Sequence, residues 1–272
     1  EQTRYDLRGK WQFADSFAEE LRSYFTYNDY KHSELEFGEV ATEWNNEIFE
    51  ARVEVQHGEI NGFHGTFGSQ FIDRDFAAVG EESYIPTANI QRWGIFFVED
   101  YHLGAFKYEV GLRYDRDEVD LEDSASSESF DSLSASASVL WTLDDHWRLG
   151  LALAHAERAP EVEELYADGP HLALGIYERG DENLSVEHAN NVEFTLAYEY
   201  QSLLAQLTLF HNRFSGYIQL QDTGLLDAMS GLPIYEHMQR DAQFVGAEFT
   251  FGFPVAELGG TVLRGQLFGD WV

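Results

Sequence analysis

From Val192 to Tyr200 apolar and polar side chains alternate without a break. Val192, Phe194, Leu196, Tyr198 and Tyr200 form one set; Glu193, Thr195, Ala197 and Glu199 form the other. Tyr5, Leu7, Gly9, Trp11 and Phe13 alternate in the same way with Asp6, Arg8, Lys10 and Gln12. The pattern returns in Tyr108–Tyr114 and in Trp147–Ala154. Successive side chains of a strand point to opposite faces, so period two is how a half-buried strand reads. Applied along the chain, it predicts about twelve strands. They cover 3–14, 18–29, 44–57, 61–73, 91–101, 105–115, 131–142, 146–157, 190–200, 203–214, 235–253 and 261–271. No amphipathic helix competes, and Pro160 to Ala167 reads as one helical turn inside a loop.

The connections alternate short and long. The short ones are 14–19, 58–62, 100–104, 143–146, 200–203 and 254–260. The long ones are 31–43, 73–90, 115–130, 157–189 and 215–234. Tight turns at one edge and long loops at the other are the pattern of an antiparallel transmembrane β-barrel. Aromatic residues near strand ends, among them Tyr24, Tyr27, Trp93, Trp141 and Trp147, suit girdles at the two lipid interfaces. The alternative is a soluble antiparallel sandwich or propeller. Loop length in step with strand parity speaks against it, as does a polar face carrying Arg4, Asp6, Arg52, Glu54, Arg113, Arg148 and Glu193. Those charges suit a wet or plugged lumen.

Composition narrows the function. The 272 residues hold 17 Lys+Arg against 49 Asp+Glu, a formal charge of −32. Nucleic-acid binding is excluded, because it needs a basic face. The absence of Cys excludes disulfides, thiolate metal ligands and a thiol nucleophile. Aromatics at 15% argue against disorder. No apolar run suits a membrane helix, and no basic-then-apolar leader opens the sequence, so any export signal has been removed or lies outside it.

The acidic residues gather in the long connections. Residues 157–189 hold Glu157, Glu161, Glu163, Glu164, Asp168, Glu178, Asp181, Glu182 and Glu187. A concave mouth of one sign concentrates opposite ions. Histidines lie there too. His32 and Glu34, two residues apart, share a face of an extended segment. His171 lies in the acidic connection. Imidazole and carboxylate suit zinc and neighbouring first-row ions. His57, His64, His102 and His146 lie near the short turns and carry no expected metal role. A hydrolase built on Ser215 and His211 is a third possibility, although no Gly-x-Ser-x-Gly elbow occurs.

Several stretches resemble a known family. They are Glu157-Arg158-Ala159-Pro160, Glu163-Glu164-Leu165-Tyr166-Ala167, Gly169-Pro170-His171, and Asp181-Glu182-Asn183-Leu184 with Glu187 and Asn190-Asn191-Val192-Glu193. These resemble the barrel of TonB-dependent outer-membrane receptors. Within that family, Glu-Leu-Tyr-Ala-x-Gly-x-His is similar to the ZnuD-type zinc receptors. So are Tyr30-Lys31-His32-Ser33-Glu34, Asp75 to Glu82, and Phe210-His211-Asn212-Arg213-Phe214 with Tyr217-Ile218.

The resemblance implies a bacterial outer-membrane protein that imports its ligand with energy from the TonB complex. It implies a barrel of about 22 strands around a plug, with 1–272 as part of the barrel domain and the plug outside it. The implied cargo is a metal ion, zinc foremost. His171 matches the Gly-x-His position and Glu34 the acidic position of Tyr-x-His-x-Glu; His32 is added from spacing. No His-rich tract is present. Barrel ligands would be completed from the plug. Because binding needs neutral imidazole, capture should weaken as pH falls through about 6.5. The alternative cargo is haem or another metal chelate, with His171 between Arg158-Ala159-Pro160 and Asn183-Leu184 as axial ligand.

Overall fold

The computed structural model describes residues 1–14, 16–36, 39–80, 83–122 and 127–272, with Glu36, Glu39 and Ala41 described through their backbone only. The long strands are β1 (Gln2–Gln12), β2 (Ala18–Glu36), β3 (Glu39–Ile60), β4 (Phe63–Gly80), β5 (Ala88–Leu103), β6 (Phe106–Leu121), β7 (Ser127–Thr142) and β8 (Trp147–Arg158). The segment that follows carries a short helix, α1 (Val162–Tyr166), and a small hairpin, β9 (Asp168–His171) and β10 (Ile176–Arg179). The meander then resumes with β11 (Glu187–Tyr200), β12 (Leu203–Leu226), β13 (Pro233–Leu258) and β14 (Thr261–Trp271).

All the strands join one 14-stranded sheet. Each long strand pairs antiparallel with its neighbour; β8 pairs with β11, passing over the inserted helix and hairpin. The hairpin returns to the sheet by a short parallel pairing of β10 with β13, Glu178 opposite Tyr235. Among the described residues, β1 pairs only with β2 and β14 only with β13, so both borders of the sheet are open.

Register carries the alternation across the wall. Ile95 lies opposite Tyr114, which lies opposite Leu133. Leu153 lies opposite Val192, which lies opposite His211. The apolar set is the exposed one: Ile95 at 60%, Leu153 at 48% and Phe249 at 51%. Oily side chains that face outward and stay bare are expected where lipid is the solvent. The opposite face carries ion pairs such as Arg22 with Glu54, Arg52 with Glu54 and Arg113 with Asp115. The tight turns obey hairpin geometry: Asn61-Gly62 and Gly259-Gly260 have positive φ at both positions, which a two-residue turn of this hand needs.

The twelve expected long strands are present, and the helical turn expected at 160–167 is α1. Much of the expected long connections is strand, however. β2 and β3 pair as far as Glu36 opposite Glu39, not 29 and 44, and β12 runs to Leu226, not 214. Arg116 to Asp120, within an expected loop, pairs with Ser127 to Asp131. Beyond the lipid both faces of a strand are wet, so polar side chains fill both sets and the period-two signal fades. Backbone pairing needs no apolar side chains and continues.

At the long-connection rim the inward face turns apolar. Phe76, Ala78, Ala88, Ile90 and Val119 are buried against Ile85 and Val162, with Trp44 and Tyr84 beside them. This small core seats the segment between β8 and β11 against the inner wall.

Candidate metal site at the long-connection rim

Arg158 is the first fastener of that segment. It grips Glu164 with both terminal guanidinium nitrogens, at 2.8 and 3.1 Å, and reaches Glu187 at 3.5 Å. Glu164 in turn accepts the backbone N–H of Glu161 at 2.8 Å, which caps the start of α1. Glu187 accepts the backbone N–H of Ile218 on β12 at 2.8 Å. Leu184 packs with Leu165 and Ile218 in a second buried cluster. The Arg-Ala-Pro and Asn-Leu elements thus act as anchors at the two ends of the inserted segment.

The segment carries His171 at the end of β9. Its ring stacks on Tyr84, with centroids 4.5 Å apart and planes at 23°. Its Nδ1 lies 2.8 Å from Glu178 Oε2. Glu178 Oε1 lies 2.9 Å from His237 Nε2 on β13. An ionised carboxylate only accepts, so both imidazoles donate to it. Burial pushes the Glu178 carboxyl up, but the hydrogen bonds from His237 and His171 outweigh it and hold it below the usual carboxylate range. With Nδ1–H committed, Nε2 is the nitrogen His171 has left for a metal. A carboxylate behind a ligand histidine is the usual device for fixing tautomer and ring orientation. His237 keeps a buried Nδ1 with no hydrogen-bond partner among the described residues.

His32 and Glu34 belong to the same rim. His32 pairs with Trp44 across β2 and β3, and their rings stack at 5.9 Å with planes at 4°. Trp44 meets Tyr84 edge-on at 5.8 Å. Four rings, His32, Trp44, Tyr84 and His171, therefore run in contact across the mouth. The Tyr84 phenol is pushed well above its ordinary range, first by burial and then by the charges of Glu178, Glu163 and Glu34. Glu34 thus shares the electrostatic environment of Tyr84 with Glu178, the carboxylate that holds His171. Among the described residues neither His32 nor Glu34 hydrogen-bonds to His171, and the three do not bring their donor atoms within 4.8 Å of one another.

Tyr84 and His237 are not among the sequence-expected site residues, and Glu178 is expected only as one of the acidic residues of the 157–189 connection. The usable signal was the turn Leu172-Ala173-Leu174-Gly175 that pairs β9 with β10, with His171 directly before it and Glu178 on the returning strand. Nothing local ties His237 to them; the parallel pairing of β10 with β13 does so. Of the histidines expected to have no metal role, His57 is buried and held by Gly58 O and Glu99, at 2.7 and 2.8 Å. The Ser215 and His211 pairing for hydrolysis is not assembled. They stand four positions apart on one strand, about 13 Å at strand rise, and Ser215 Oγ instead meets Asp241 at 3.4 Å.

The profile of the family described as TonB dependent receptor-like, beta-barrel matches residues 1–264. The chain belongs to that family. Solved structures agree on the fold. The copper transporter OprC is 16% identical, with a TM-score of 0.79 over 99% of this chain and 46% of its own. The FrpB iron transporter from Neisseria meningitidis (F3-3 variant) is 15% identical, with 0.74 over 99% and 43%. The Serratia marcescens hemophore receptor HasR, in complex with its hemophore HasA and heme, is 15% identical, with 0.72 over 92% and 46%. The chain spans less than half the length of each. Family membership makes this an all-β barrel chain of the bacterial outer membrane.

Proposed function

We propose that this TonB-dependent receptor barrel belongs to an importer that captures a metal ion, zinc foremost, at its outer mouth. The observation that carries the reading is His171 with Nδ1 held by buried Glu178, leaving Nε2 as a ligand in an acidic, apolar-floored mouth. His171 is the principal barrel ligand. Glu34 and His32, on the same rim, are the further barrel ligands, reached when the mouth closes on the cation. Such a site is incomplete without donors from the plug, and an incomplete site can release its cargo, whereas a closed four-ligand site is structural. The open borders at β1 and β14 support partner strands on either side, since unpaired backbone is not tolerated in hydrocarbon. The TonB complex supplies the energy for release and passage.

The test is zinc titration of the whole receptor, wild type against His171→Ala combined with Glu34→Ala. The double variant should lose the mouth site. Zinc affinity unchanged by both substitutions removes the proposed ligands. Haem uptake is the competing reading, with His171 as axial ligand. It would show as a Soret shift on adding haemin that His171→Ala abolishes.

A further inference from the structure

The chain alternates across the wall at Glu157 and Arg158: Arg158 turns inward to clamp α1, and Glu157 turns outward. On that outer face Glu157 meets two histidines. Its Oε1 lies 3.0 Å from His155 Nε2 on the same strand. The same oxygen lies 3.0 Å from His188 Nδ1 on β11, the residue opposite Glu157 in the register. The two imidazoles stack at 5.9 Å with planes at 25°. Among the described residues this is the one group of three His, Asp or Glu side chains whose donor atoms all lie within 4.8 Å of one another.

The group is also held from behind. His155 Nδ1 lies 3.0 Å from Asn190 Oδ1, which holds the ring from the side away from Glu157. With Nδ1 turned to Asn190, Nε2 is the nitrogen that His155 presents to Glu157 and to a cation shared with it. Glu157 Oε2 is fixed by the backbone N–H of Leu133 at 2.7 Å. Outer partners of this kind set tautomer and direction in metal sites.

We propose that His155, Glu157 and His188 form a second metal site, separate from the import path, on the outer surface of the wall. It would take a first-row divalent cation such as zinc. Two imidazole nitrogens and one carboxylate oxygen are a known donor set for that ion, and three protein ligands leave one position open. Bonds near 2.0 Å in a tetrahedron put donor atoms about 3.3 Å apart. The two 3.0 Å contacts to Glu157 need to open by only a few tenths of an ångström, and all three donor atoms already lie within 4.8 Å of one another. His155 and His188 are 41% and 43% exposed, and Glu157 is 16% exposed, so an ion can reach the group from outside. The level is defined as well. Leu153 and Val192 are the last outward apolar residues of β8 and β11, and His155 and Asn190 are the next outward positions. The site sits at the upper edge of the lipid-facing band, on the other side of the wall from His171.

The experiment uses the whole receptor in detergent with His171→Ala and Glu34→Ala as background, so that the mouth is removed from the count. Cobalt(II) is titrated as a spectroscopic probe and zinc by calorimetry. The background protein should bind one equivalent and give visible cobalt d–d bands. Adding His188→Ala, or Glu157→Gln as a shape-preserving second variant, should abolish the bands and weaken binding at least tenfold. The reciprocal His155→Ala with His188→Ala should leave the mouth titration of the unmodified receptor unchanged. A background protein that binds no equivalent, or bands that survive both added variants, overturns the proposal.

Discussion

Glu178 stands between the mouth histidine and the sheet: its Oε2 takes His171 Nδ1 at 2.8 Å while its Oε1 takes His237 Nε2 at 2.9 Å. One buried carboxylate thus couples the inserted hairpin to β13 and fixes the tautomer of His171. Glu178→Gln keeps the shape but offers one accepting oxygen where two are used. One imidazole then loses its fixed orientation. Zinc affinity of the whole receptor should fall about 10–100-fold, the usual effect of removing a partner behind a metal ligand. Calorimetry on the refolded variant checks this, and an unaltered affinity would show that His171 needs no such support.

Gly180 lies directly under α1. A Cβ at this position would fall 2.5 Å from Leu165 C, 2.6 Å from Leu165 O and 2.6 Å from Tyr166 N, all backbone atoms. The hydrogen bond from Gly180 N to Ala167 O, at 2.6 Å, depends on the same close approach. Gly180→Ala must therefore push α1 and the hairpin apart. Residues 159–186 should become more sensitive to limited proteolysis, and zinc affinity should fall with them, while the strand content seen by circular dichroism holds. Cleavage no faster than in the wild type would mean that this contact is not needed to seat the segment.

Arg158 is the clamp at the other end. Its loss leaves Glu164 and Glu187, 16% and 10% exposed, without their cation. Taking the cation from two largely buried carboxylates costs about 1–3 kcal/mol, even though each keeps one backbone N–H donor. Arg158→Lys should recover little of it, because a point charge cannot reproduce the two-nitrogen grip on Glu164. Denaturant unfolding of the bilayer-inserted receptor measures both variants; equal stability of Arg158→Ala and wild type would reduce the motif to a surface ion pair.

The membrane-level fold was readable because lipid makes one face uniformly apolar. Val192 to Tyr200 shows it without a gap, and the observed register keeps Val192 to Tyr198 in line with Leu153 to Trp147. Above the lipid that contrast disappears, so the strand extensions at Arg116–Asp120 and Lys31–Glu36 were unreadable as strands. Part of the rim was visible from spacing: His32 and Glu34 share a face, and His171 lies in the acidic segment. What joins it was not. Glu178 and His237 are 59 positions apart and meet only because β10 returns to lie parallel on β13. The outer-wall group was hidden for a related reason. His155 and Glu157 are two apart and visible in sequence, but His188 enters only through the β8 to β11 register.

Neighbouring residues on β11 test the membrane assignment itself. Phe194 lies outward, opposite Leu151 and Leu209, and Glu193 lies on the other face, opposite Ala152 and Phe210. Arginine at a lipid-facing position inside the apolar band costs about 2–4 kcal/mol, falling toward the interfaces, whereas a lumen position tolerates charge. Phe194→Arg should therefore lower the bilayer unfolding free energy by an amount in that range, and Glu193→Arg by less than about 1 kcal/mol. The two variants differ by one residue in depth, so depth cannot explain a gap between them; only the direction of the side chain can. In detergent-free vesicles Phe194→Arg should also slow insertion. Equal losses at the two positions would mean that the exposed stripe formed by Ile95, Leu153, Phe194 and Phe249 meets something other than lipid.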